Sequence, residues 1–473
     1  MKILLTGATG YIAQRLLPAL IKNGHKVICC VRDKSRIDLQ KYPADKVKII
    51  EVNFLHKETL KNIPENIDAA YYLIHSMSSD GDEDFEKLET ISANNFKERI
   101  QQTKTKQVIY LGGIVNETKL SKHLKSRKNV ESILASATFN FTALRAGIIV
   151  GSGSASFEII RDLVEKLPVM IAPRWLETKS QPIAIRNVIE FLSGVLLNEK
   201  TYGNTYDVGG PEILTYKQML MKFASVRKLK RKIFIVPVMT PKLSSYWLYF
   251  VTAVSYSLAK NLVNSMKVEI TCSKNNLVDM LNIKLISYDD AIRNAFDKIE
   301  QQQVISSWKD ALTSHKLDEG LSHLVEIPTH GCFKDSRVIS LTNEKETLRK
   351  IWSIGGKNGW YYGNWLWSFR GYIDKIFGGV GLRRGRKNPV EISAGESLDF
   401  WRVLLADKGE KRLLLYAEMK LPGEAWLEFK IENQKLFQTA TFRPLGLLGR
   451  IYWYSVLPFH GFIFRGMINR IAA

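Results

Sequence analysis

At 473 residues, 45% hydrophobic and 24% charged, the chain is long enough for two packed domains and too apolar for a disordered or fibrous protein. Four cysteines without metal-ligand spacing exclude a disulfide scaffold, point to a reducing compartment and give no reason to expect a metal. The net charge of +21 would suit anionic partners, but the lysines are spread over predicted helix faces and read as solvated surface, so no specific nucleic-acid partner is expected. The run Arg383 to Lys387 is the densest local exception.

Lys2 to Leu5 is a short apolar run, read as a buried parallel strand. Thr6-Gly7-Ala8-Thr9-Gly10-Tyr11-Ile12-Ala13 makes a tight turn that opens a helix over Gln14 to Lys22. Strand, glycine turn and helix in that order form a phosphate cradle: Gly7 reverses the backbone, and Gly10 lets a pyrophosphate approach the N–H groups at the positive end of the helix. TGATGYIA resembles the nucleotide-binding turn of the extended and atypical short-chain dehydrogenase/reductases, the NmrA-like branch included. The resemblance implies a dinucleotide held by Thr6 to Ile12.

The next predicted strand, Lys26 to Val31, ends on Arg32. An acidic residue here would bind the ribose 2′-hydroxyl of NAD, whereas an arginine suits the 2′-phosphate of NADP; Arg32 favours NADP, and Asp33 keeps NAD open. Val47 to Val52 is a third strand, followed by Asn53, where related enzymes often carry an aspartate near the adenine. After a fourth strand, Ala69 to Ile74, comes His75-Ser-Met-Ser. Ligands bind beyond the carboxyl ends of such strands, so His75 is a candidate for contacting cofactor or substrate, with a local loop role as the alternative.

Phe85 to Gln102 reads as a helix, Gln107 to Leu111 as strand five with Gly112-Gly113 after it, and Thr142 to Leu144 as the start of strand six. This alternation predicts a doubly wound parallel Rossmann sheet. Short-chain dehydrogenases place a serine after strand five and Tyr-x-x-x-Lys on the next helix. Here glycine replaces the serine, and His123, Arg127 and Glu131 stand at i, i+4 and i+8. Arg127 is a candidate to bind the cofactor ribose or phosphate, and His123 to donate a proton. The plainer reading is a solvent-facing Arg127–Glu131 pair beside an incidental histidine. Gly151-Ser-Gly-Ser154 and the helix from Phe157 to Lys166 begin the substrate side, and the resemblance extends to about residue 300.

Residues 237–266 are apolar and aromatic, but the uninterrupted part, Tyr246 to Ala259, is shorter than the roughly 20 residues of a spanning helix. It reads as a buried or pocket-lining helix, with peripheral membrane contact as the alternative. Gln301 to Leu317 reads as a linker helix. Beyond it lie seven of the ten tryptophans, and alternating stretches predict antiparallel strands: Phe333 to Leu341, Leu398 to Ala406, Lys411 to Met419, Ala425 to Ile431 and Leu436 to Phe442. Helices are predicted over Glu344 to Ser353 and Leu457 to Ala472.

The motifs around Gly359-Trp360, Arg383 to Arg386, Asp399 to Arg402, Glu418 to Trp426 and Phe442 to Trp453 resemble a domain of unknown function grouped with the START-like/SRPBCC superfamily and found fused to atypical dehydrogenases. That resemblance implies an α+β helix-grip fold enclosing an apolar ligand, although most of the aromatic rings read equally well as core. The expected organisation is therefore an NAD(P)-binding domain over 1–300, a linker helix over 301–317 and a START-like domain over 318–473. The expected activity is hydride transfer between NADP(H) and a hydrophobic carbonyl, alcohol or quinone; the rival is a non-catalytic NADP-binding sensor or scaffold. A strand beginning at Lys2 leaves no room for a signal peptide, so a cytoplasmic location is expected.

Overall fold

The structure, a computed structural model, describes residues 1–34, 37, 42–74, 82–115, 122–236, 263–300, 332–381, 386, 388, 391–444 and 446–473. The chain divides into two compact units. Among the described residues the first holds 1–236 and 263–300, and the second holds those from 332 on. The predicted linker helix and most of the apolar stretch 237–266 lie outside the described residues.

The first unit is built on a seven-stranded sheet. Its strands are β1 (Lys2–Leu5), β2 (Lys26–Val31), β3 (Val47–Glu51), β4 (Ala69–Tyr72), β5 (Gln107–Gly113), β6 (Asn140–Ala146) and β7 (Asn204–Val208). Their order is β7-β6-β5-β4-β1-β2-β3, and every neighbouring pair is parallel. The order reverses between β1 and β4, which opens a crevice at the carboxyl edge beside the end of β1.

Strand alternation feeds two cores. Ile3 and Leu5 face α1 (Tyr11–Lys22) and a later helix, Ile185–Gly194. Leu4 faces α2 (Asp82–Gln101) and α3 (Lys122–Ala135). Adjacent Cys29 and Cys30 split between the two faces, and all four cysteines are thiols. Helix α1 begins at Tyr11, three residues earlier than the sequence suggests, because Ala13 already packs in the core with Leu16 and Leu17. The chain continues through α4 (Ala155–Lys166) toward the end of this unit.

The second unit is a six-stranded antiparallel sheet, ordered β8-β13-β12-β11-β10-β9. The strands are β8 (Phe333–Ser340), β9 (Ser397–Leu398), β10 (Trp401–Asp407), β11 (Arg412–Ala417), β12 (Gly423–Glu432) and β13 (Lys435–Pro444). The predicted strand Leu398 to Ala406 is broken at Asp399, whose φ of 52° lets its carboxylate accept the Trp360 indole N–H at 2.8 Å. Helices α5 (Glu344–Trp352), α6 (Asn364–Ile376) and α7 (Gly446–Ala472) complete the unit, and α7 packs on β8 and β13.

Helix α7 is eleven residues longer at its start than the predicted closing helix. Pro458 suits a first helical turn and reads as a start, but here it lies inside the helix. The turns before it are held by Trp453, which stacks on Phe442 at 5.8 Å and on Phe333 at 5.4 Å. Helix α6 is absent from the predicted elements because its outward face is aromatic, so the polar half of the usual helical pattern is missing. The end of the basic run also turns inward: Arg386 donates to the carbonyls of Trp352 and Ile354 at 2.7 and 2.6 Å, and burial lowers its pKa to about 10.

A buried ion pair and a buried histidine sit in the interior of this unit. Arg402 and Glu418, 0% and 1% exposed, pair at 2.8 Å between β10 and the end of β11, and Arg402 also donates to the Gly395 carbonyl. Glu418→Gln, which leaves the guanidinium buried without its counter-charge, is expected to cost about 3–5 kcal/mol, and Arg402→Met with Glu418→Leu to recover much of it, by urea unfolding of the full chain. His460 lies between the rings of Trp453 and Phe464, and burial lowers its pKa to about 4, with Asp335 and Arg337 as the nearby charges. The folded state thus prefers neutral imidazole, and the unfolded chain binds the extra proton. Stability is expected to fall by at most roughly 3 kcal/mol as pH drops from about 6.5 to about 4, and His460→Phe to flatten that slope.

Candidate functional site

The site is built where β1 meets α1. Thr6 is fully buried; its hydroxyl donates to the Tyr71 carbonyl at 2.9 Å and accepts the Leu73 N–H at 3.1 Å. It therefore serves as the clamp between β1 and β4. Gly7 has φ +60°, and a Cβ there would lie 2.6 Å from the Leu73 carbonyl oxygen, so only glycine fits. The turn closes with Gly10 N–H donating to the Gly7 carbonyl at 2.8 Å, and the Gln14 side chain donates to the Thr9 carbonyl at 3.1 Å.

Gly10 is the N-cap of α1 and offers no side-chain cap, and the first turn carries no acidic residue. The helix start thus presents backbone donors and a positive dipole end without a built-in anion. Ala8 and Ile12 pack into the core, so what they can present at this turn is backbone.

The Tyr11 side chain is held within the protein. Its hydroxyl is buried against Gly151, where a Cβ would come within 2.7 Å of it. Burial pushes its pKa up to about 12, so it stays protonated. Arg15 lies 4.0 Å from the Tyr11 ring centroid and donates to the Ser152 carbonyl at 2.6 Å. Together Tyr11 and Arg15 fasten the segment 151–154 to the start of α1. Ser154 in turn caps α4, accepting the Phe157 N–H at 3.2 Å.

At the end of β2, Arg32 is exposed while Asp33 is 5% exposed. Asn53 is half-buried; its side-chain oxygen accepts the Leu55 N–H at 3.1 Å and shapes the loop after β3. His75 lies outside the described residues.

Across the carboxyl edge, a Cβ on Gly112 would come within 2.8 Å of the Tyr110 ring, and one on Gly113 within 3.1 Å of the Leu124 side chain. Arg127, half-buried on α3, crosses the end of β5, with Nη1 3.5 Å from where a Cβ on Gly113 would stand. The Tyr110 hydroxyl donates to the Arg127 carbonyl at 3.2 Å and ties α3 to β5. His123 lies on α3 one turn before Arg127.

The plainer sequence reading of this helix is corrected: Glu131 does not pair with Arg127 across solvent. It accepts two hydrogen bonds from Arg145 of β6, at 2.9 and 2.6 Å. Sequence reasoning missed Arg145 as the partner of Glu131, because a strand–helix pair fourteen residues apart has no local spacing signature. The arrangement can hold a diphosphate at the α1 start, with Arg127 over the end of β5, two strands away.

Residues 7–165 match the family described as NAD(P)H-binding, and residues 329–467 match a family described as a protein of unknown function (DUF2867). No curated protein matches. Among solved structures, the chain is similar to an epimerase from Methanothermobacter thermautotrophicus, with 12% identity over 64% of this chain and 94% of that one and a TM-score of 0.51. It is also similar to the Bordetella bronchiseptica enzyme WbmG in complex with NAD, with 11% identity over 67% and 97% of the two chains and a TM-score of 0.50. At such identities the likeness is one of fold.

The first unit is an NAD(P)-binding Rossmann domain. Fused to it in the same chain is a domain of the DUF2867 family.

Gly7→Ala is expected to destabilise the cradle by about 1–3 kcal/mol and to weaken NAD(P)H binding at least tenfold, read by fluorescence titration.

Proposed function

We propose that the chain is an NADP(H)-dependent oxidoreductase acting on a hydrophobic carbonyl, alcohol or quinone. The observation that carries this reading is the pairing of an uncapped α1 start with Arg127 lying across the end of β5. The preference for NADP rests on the exposure of Arg32 beside a buried Asp33: the group offered at the ribose position is a cation. When bound, the nicotinamide would supply or accept the hydride. Arg127 binds ribose or phosphate in the role of the family's lysine, and His123 passes the accompanying proton to or from the substrate oxygen. The second unit, START-like in its sheet and long closing helix, binds or delivers the apolar substrate.

A second reading, a non-catalytic NADP-binding sensor or scaffold, is favoured by one observation. Gly112 or Gly113 stands where the usual serine would be, and a Cβ on Gly112 would come within 2.8 Å of the Tyr110 ring.

Arg127→Ala is expected to weaken NADPH binding by about 10–100-fold, the worth of a charge-assisted hydrogen bond. His123→Ala is expected to leave binding intact and lower NADPH consumption, measured over a panel of apolar aldehydes and quinones, by about 10²–10⁴-fold. Tight binding with no turnover across the panel would establish the sensor reading, and no NADPH binding would remove both.

A further inference from the structure

On α6, Trp365, Phe369, Tyr372 and Ile376 recur at i, i+4, i+7 and i+11, and all are exposed, Trp365 at 70%. On α7, Leu448, Ile451, Phe459 and Phe462 are exposed, Leu448 at 73%.

These two helices lie side by side in opposite directions. The Tyr362 ring, just before α6, is 5.1 Å from that of Phe462, and a Cβ on Gly363 would lie 3.6 Å from Ile463. Two turns further along α6, Arg370 stands 5.6 Å from the ring of Tyr452, three turns back along α7. Their inner faces meet through Trp367 and Phe464, 6.1 Å apart in the core of the second unit. The outer faces form a double apolar ridge, larger than the isolated apolar residues common on soluble surfaces.

The charge on this ridge has one sign. Helix α7 contains no aspartate or glutamate, and its Arg450 and Arg465 are exposed. The only carboxylate on α6, Asp374, is 1% exposed and accepts the N–H groups of Gly381 and Lys420, both at 2.8 Å. An isologous contact with a second copy would bring these arginines together. Among the described residues no helix is long and apolar enough to cross a membrane, so such a ridge lies on a bilayer rather than through it.

We propose that the paired outer faces of α6 and α7 bind an anionic lipid surface, with the aromatic rings at headgroup depth and the arginines on lipid phosphates. This surface lies wholly within the second unit and does not depend on the dinucleotide reading.

The test is cosedimentation of the full chain with phosphatidylcholine vesicles, with and without about 30% phosphatidylglycerol. The chain is expected to pellet with the anionic vesicles, less as salt is raised, and to stay largely in solution with the neutral ones. Phe369→Glu with Phe459→Glu is expected to reduce partitioning at least about tenfold at an unchanged unfolding midpoint. Arg450→Gln and Arg465→Gln are expected to reduce it about fivefold each. Absence of pelleting, or equal pelleting with neutral vesicles, would overturn the proposal. So would a wild-type dimer in sedimentation velocity that the double glutamate variant converts to monomer, since the occupant would then be a second copy.

Discussion

The hydroxyl of Thr6 bridges the carbonyl of Tyr71 and the N–H of Leu73, and so joins the end of β1 to the end of β4. Those are the two strands between which the sheet order reverses. The bridge fixes the width of the crevice there, and it brings the Leu73 carbonyl so close to Gly7 that no side chain fits. The turn, the uncapped start of α1 and the packing of segment 151–154 on Tyr11 and Arg15 all follow from that junction. A dinucleotide site of this kind is mostly backbone, so side-chain identity matters less for contact than for keeping the backbone in place.

This explains which parts were legible in the sequence. The strands of the first sheet are apolar runs closed by glycine or polar turns, and strand, glycine turn and helix announce themselves locally. The roles within the turn were not legible. The motif does not say that the Thr6 side chain clamps β1 to β4 or that the Tyr11 hydroxyl is buried against Gly151. Nor was the partner of Glu131 legible: its spacing to Arg127 satisfies a helical rule, but the strand behind α3 supplies a better-placed guanidinium. Local periodicity names which residues share a helix face; it does not say what that face meets.

The second unit shows the same limit from the other side. Strand β8 alternates strictly because one face packs beneath α7, whereas β10 is buried continuously over its first half and β11 along nearly its whole length. Helix α6 escaped notice because a helix with apolar residues on both faces breaks the amphipathic pattern, and α7 was shortened because Pro458 imitates a helix start. In both cases the departure from the usual pattern lies on the exposed side. The Arg402–Glu418 pair, fully enclosed, and His460, held neutral among aromatic rings, mark where polar groups have been admitted to an otherwise apolar interior.

Cys29 and Cys30 sit side by side on β2, one facing each core of the first unit. Burial holds both thiols well above their usual pKa, Cys29 at about 12, so neither is a nucleophile while the strand is in place. Their alkylation therefore proceeds through opening of the sheet, and its rate becomes a clock for that opening. Because the two neighbours look in opposite directions, the order in which they are modified would tell which helical layer lifts away first.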